Sequence, residues 1–150
     1  MRALFVRSAS DGKAPSHTYA ASGLYTVRIS GRISGFGFGQ PNRSSFDVHK
    51  DRDKLVDIVQ WGCVRFGNRG GYFFKCRNLG RLSARDLPDL TGVTNMKFMF
   101  CGAHAFQSDL SQWNVSRVTD MTDMFFDARA FQLPAHAPWY QGEEDDESDV

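Results

Sequence analysis

Residues 93–107 and 118–132 repeat one order of apolar and polar positions, 25 residues apart. Val93, Met96, Phe100 and Ala103 in the first stretch correspond to Val118, Met121, Phe125 and Ala128 in the second. The offsets i, i+3, i+7 and i+10 put each set on one stripe of a helix. Polar Thr94, Asn95 and Lys97, and Thr119, Asp120, Thr122 and Asp123, fall outside that stripe. The spacing predicts a short helix in each copy, with Thr91 and Ser116 just upstream as N-caps. Between the two, residues 108–115 place Leu110, Trp113 and Val115 as a short, bent strand. One strand and one helix per unit, at a period of about 20–50 residues, predict a solenoid whose units bury their apolar faces against their neighbours.

Weaker copies flank these two. Trp61, Trp113 and Trp139 stand 52 and 26 residues apart, two periods and one. Tyr72, Phe73 and Phe74 match Met99 and Phe100, and residues 88–91 match 113–116. Pro134 and Pro138 interrupt the place of the next strand by removing ladder donors, which stops the stack at about three turns. Upstream, residues 25–30 alternate apolar and polar positions with period two and predict a half-buried strand. Residues 33–39 alternate Phe with Gly as a second strand, the glycines letting it pack closely. Residues 55–61, rich in branched side chains, predict a third, and residues 40–45 read as a loop.

Charge changes the picture in one respect. The net charge of +1 in 150 residues hides 14 Lys/Arg against 5 Asp/Glu in residues 1–82, and 4 against 12 in residues 83–150. Six of those acids crowd residues 143–149, a run too charged to bury and expected to be a disordered tail. The basic residues of the first part are scattered, so the pattern indicates a solvated surface and no nucleic-acid partner. No apolar run reaches the roughly 18 residues of a membrane span. The apolar start of the chain ends at Arg7, too short for a secretory signal.

Candidate chemistry is sparse. Cys63, Cys76 and Cys101 follow no metal spacing. Cys76 and Cys101 could pair across neighbouring units or sit as small buried hydrophobes, the reading their surroundings favour. His17, His49, His104 and His136 are far apart, and His104, three residues after Cys101, matches Arg129 in the next copy, a pattern of variable surface positions. Asp120, Asp123 and Asp127 read as a solvated face rather than a calcium site. No catalytic, cofactor-binding or metal-binding residue is expected, and the chain reads as a non-enzyme.

Two stretches resemble known families. Residues 106–121, F-Q-S-D-L-S-Q-W-N-V-S-R-V-T-D-M, resemble the 26-residue repeat of the BspA-like bacterial surface proteins, relatives of the leucine-rich repeats. Residues 17–27, H-T-Y-A-A-S-G-L-Y-T-V, are similar to a stretch of PKD-like β-sandwich domains, although the earlier strands of such a sandwich are missing. The resemblance implies a protein of the cell surface or a secreted one, used in adhesion or host interaction through an unknown protein or glycan. The expected fold class is therefore α+β: a short leucine-rich-repeat-like solenoid with an N-terminal antiparallel β segment. The expected domains are a partial PKD-like segment at 1–54, the solenoid at 55–139 and the acidic tail at 140–150. Ser108, Asp109, Ser111, Gln112 and Asn114 are the candidate interaction surface. The alternative is a truncated or vestigial fragment of a larger surface protein.

Overall fold

The computed structural model describes residues 2–6, 18–29, 33–38 and 50–142. His17, His49, the loop at 40–45 and the acidic run at 143–149 lie outside the described residues. The chain divides into two compact units, Met1–Ile33 and Ser34–Val150.

In the first unit β1 (Arg2–Val6) pairs with β2 (Tyr25–Ile29). The period-two pattern located β2, but the pairing is parallel, with Arg2 opposite Tyr25 and Val6 opposite Ile29, and the antiparallel expectation is corrected. Parallel neighbours need a crossover of a dozen or more residues, which residues 7–24 supply. The partner strand is the apolar start of the chain. The Tyr25 hydroxyl donates to the Ala21 carbonyl at 2.7 Å and its ring lies 4.0 Å from that of Tyr19.

The second unit overturns the expected α+β solenoid of strand–helix coils. Among the described residues there is no α-helix; one 3-10 helix spans Lys50–Lys54, and β3 (Ile33–Ser34) and β4 (Val64–Arg65) have two residues each. The strands expected at 55–61 and 108–115 do not form, and Asp57 makes only an isolated bridge to Arg81. The stretches expected to be helical are chains of tight turns.

The backbone hydrogen bonds explain this outcome. A helix needs each amide to reach the carbonyl four residues back. Here Met99, Cys101 and Ala103 donate to the carbonyls three residues back, closing turns at 3.0–3.2 Å. The amides between them point away: Met96, Phe98, Phe100 and Gly102 donate to Asp120, Thr122, Met124 and Phe126 of the next copy at 2.7–2.9 Å. Gly71, Phe73 and Lys75 donate likewise to Lys97, Met99 and Cys101 at 2.7–2.9 Å. Successive turns return the same side chains to the core every three or four residues, so the apolar spacing satisfies a turn chain as well as a helix.

Left-handed backbone recurs at matching places. Gly71, Phe98 and Asp123 have φ of 60°, 56° and 49°, and Lys75, Gly102 and Asp127 have 57°, 70° and 55°. An L-residue held there opposes helix propagation. Gly70 is the tightest of these positions: a Cβ on it would lie 2.7 Å from the Lys97 carbonyl oxygen.

Apolar side chains of the three copies meet in one cluster. Phe73, Phe100 and Phe125 stack in a column, with centroids 5.4 and 5.8 Å apart and planes within 14°. Phe106 and Phe131 form a second column, and each lies 4.1 Å from the Phe of its own copy. Trp61 meets Trp113 edge-on at 5.8 Å, which accounts for the two-period spacing of the tryptophans. Tyr72, Leu79, Met96, Met99 and Met124 are among the other residues buried in this cluster. Phe36 and Phe38 of the Gly-Phe stretch cover one end, 5.9 and 6.4 Å from the Phe73 ring.

Candidate interaction face

The expected surface residues sit on the corner that joins the second copy to the third. Leu110 is fully buried and its amide donates to the His136 carbonyl at 2.7 Å. Trp113 is buried as well, and its amide closes a turn onto the Leu110 carbonyl at 2.9 Å. Trp139 also donates its indole N–H to that carbonyl, at 2.9 Å. Two anchors three residues apart hold the intervening polar residues outward. Asp109, Gln112 and Asn114 are exposed, and Ser111 is half-buried. Ser108 is buried, and its hydroxyl accepts the Leu82 amide at 2.6 Å, so it supports the corner from within.

Short polar side chains shape this corner. Asp109 accepts the Ser111 amide at 2.8 Å, and Asn114 accepts the amide and hydroxyl of Ser116 at 3.2 and 2.7 Å. Asp89 accepts the Thr91 amide at 3.0 Å one period earlier. These are Asx turns. Thr91 and Ser116, expected as N-caps, instead donate their amides to close these turns, because no helix follows them. The Ser111 amide and hydroxyl, with a smaller contribution from His136, hold the Asp109 carboxyl below its ordinary range. The Thr91 amide and hydroxyl do the same for Asp89, assisted by Arg65 at 2.7 Å.

The two corners enclose a shallow recess of about 260 Å³, lined by Pro88, Asp89, Leu90, Thr91, Asn114, Ser116 and Arg117. Its walls are equivalent residues of adjacent copies. Of the five expected surface residues, Asn114 lies in the recess and the others lie along the same corner. Asp89, Thr91 and Arg117 were not among the expected residues. The alignment of 88–91 with 113–116 was the signal that pointed to the first two.

Several groups elsewhere that invite chemistry are committed to packing or to ion pairs, while Cys63 is an exposed thiol. Burial pushes the Cys76 thiol up to about 12 and the Cys101 thiol to about 11. Reactive thiols are shifted the other way. No disulfide joins Cys76 to Cys101. His104 Nε2 lies 2.9 Å from one oxygen of Asp127, and Arg129 Nε donates to the other at 2.8 Å. Those two bonds, that of Arg129 contributing most, hold the Asp127 carboxyl low. Among the described residues no group of three His, Cys, Asp or Glu side chains is placed to hold a metal ion. Among the same residues no helix is long and apolar enough to cross a membrane.

Residues 52–143 match the model of a protein family described as "Mycoplasma protein of unknown function, DUF285". No curated protein and no solved structure matches the chain.

Proposed function

We propose, from the premise that this chain belongs to the DUF285 family of Mycoplasma proteins, that it is a non-enzymatic recognition scaffold acting at a cell surface. The observation that carries this reading is the recess between the corners at 89–91 and 114–116, where stacking sets equivalent polar groups side by side. Repeats that place like residues in register make extended binding surfaces. The lining offers carboxylate, amide, hydroxyl and guanidinium groups, which suit the hydroxyls of a glycan or the backbone of a protein loop. The resemblance of residues 106–121 to the BspA-like surface repeat supports the location and the adhesive role. High thiol pKa values and engaged His104 and Asp127 support a binding protein over a catalyst.

The test is retention of host-cell surface glycoproteins on the immobilised chain, compared with the Asn114→Arg variant. Filling the recess should lower retention at least about tenfold, the scale of one well-placed contact. Equal retention by both chains would remove the recess from the account. No retention above that of a scrambled-sequence control would remove the recognition role itself.

A further inference from the structure

The two ends of the stacked copies differ in what their backbones leave open. At the first end, Phe38 donates its amide to the Tyr72 carbonyl at 2.9 Å, and Gly35 donates to Arg65 at 2.9 Å. That end is closed by its own chain. At the other end lies the copy at residues 120–131. Its carbonyls at Asp120, Thr122, Met124 and Phe126 are taken by the copy before it. Its amides at Met121, Asp123, Phe125 and Asp127 are the equivalents of Met96, Phe98, Phe100 and Gly102, and they have no acceptor among the described residues. The last copy therefore presents a row of alternate N–H donors. Unpaired backbone donors invite an added chain.

The character of the row narrows what can occupy it. Two such rows face to face would set N–H against N–H, so a symmetric dimer through this edge gains no hydrogen bonds. Asp123 and Asp127 carry carboxylates on the donor residues themselves, and Asp123 makes no ion pair among the described residues. The chain's own residues 143–149 hold six carboxylates and meet like charge there. Beside Met121 a recess of about 370 Å³ opens, lined by Val118, Thr119, Met121, Thr122, Trp139 and Gln141 among others, a mostly polar surface.

We infer that this edge is a docking site for a peptide segment of another protein. The segment supplies carbonyls at alternate residues and a basic side chain opposite Asp123. The edge is a different surface from the Asn114 recess, and the inference stands even if that recess binds nothing.

The chain contains a matched pair of probes. A synthetic peptide of residues 93–103, with serine replacing Cys101, carries one Lys and no carboxylate; a peptide of residues 118–128 carries three Asp and no Lys or Arg. Within the stack, residues 97, 99 and 101 of the first sequence already accept such amides. Residue-resolved hydrogen exchange is followed on the full chain, alone and with each peptide. In the free chain Met121, Asp123, Phe125 and Asp127 should exchange much faster than Met96, Phe98, Phe100 and Gly102. The basic peptide should slow them and bind at least about tenfold tighter than the acidic one, and Asp123→Lys should abolish that preference. Slow exchange at Phe100 verifies that the variant is folded. The inference is overturned if the four amides are already slow in the free chain, whether at all concentrations (its own tail) or only at high ones (a second copy). Protection without charge preference overturns it too. Protection at Thr91 and Ser116 alone overturns it while leaving the proposed recognition face intact.

Discussion

The copy at residues 95–106 and the copy at residues 120–131 share six of twelve residues and the same turns, yet they differ in burial at some of the shared positions. Met96 and Phe100 are fully buried, whereas Met121 is half-buried and Phe125 keeps 8% of its surface exposed; Met99 and Met124 are both fully buried. The central copy lies between two neighbours, one on each side. Among the described residues the last has a full neighbour on one side only, with Tyr140 lying edge-on over Phe125 at 5.0 Å. Position in the stack, more than residue type, decides what a given side chain contributes. This is expected when each unit contacts only its neighbours.

The sharpest way to break the comparison is to truncate equivalent rings. Phe100→Ala removes the middle of the column and should cost about 3–5 kcal/mol in denaturant unfolding, while Phe125→Ala should fall at or below the low end of that range. Equal losses would mean that the copies are energetically alike. Next in size is Gly70→Ala, which combines left-handed backbone with a Cβ 2.7 Å from the Lys97 oxygen. The backbone alone should cost about 1–3 kcal/mol by the same measurement, and the contact adds to it.

Acid should act more mildly. The Asp86 carboxyl accepts the Gly62 and Trp61 amides, and these hold it below its ordinary range, as turns and ion pairs hold Asp89, Asp109 and Asp127. A carboxylate whose folded pKa is lowered adds stability above its unfolded value, about 3.9 for Asp, and loses it as pH falls through the folded one. The thermal midpoint should therefore hold down to about pH 4 and decline below it, and Asp86→Asn should flatten part of that decline. The smallest effect is expected for Asp123→Gly, which relieves a residue at φ 49°. It should leave stability within about 1 kcal/mol of the parent, or raise it slightly. A large loss would show that the Asp123 side chain supports the last copy in a way its exposed edge does not suggest.

The sequence disclosed the register but not the element. The 25-residue offset put Phe100 over Phe125, and the tryptophan spacing brought Trp61 to Trp113. Turns replaced the helices because the spacing of Val93, Met96, Phe100 and Ala103 fits both. Two of the residues that decide between them, Lys75 and Phe98 at positive φ, are not types that announce a left-handed backbone, whereas Asp123 is such a type. The parallel partner of β2 was hidden because Arg2–Val6 shows no period-two alternation of apolar and polar residues. At the candidate site, Asp109 and Asn114 each precede a serine by two residues, a pattern that marks an Asx turn. The donor row was invisible in the sequence, because backbone amides become distinctive only when their counterparts one copy earlier are seen to be occupied.

The alternating amides of the central copy also bear on how such a chain changes over evolutionary time. A tandem duplication of 25 residues would arrive with its own donors and acceptors already matched to the parent sequence. The interface is inherited with the gene segment and need not be invented afresh. Growth or shrinkage by whole units then costs few compensating mutations, whereas an insertion of one or two residues within a turn would break the pairings of that turn.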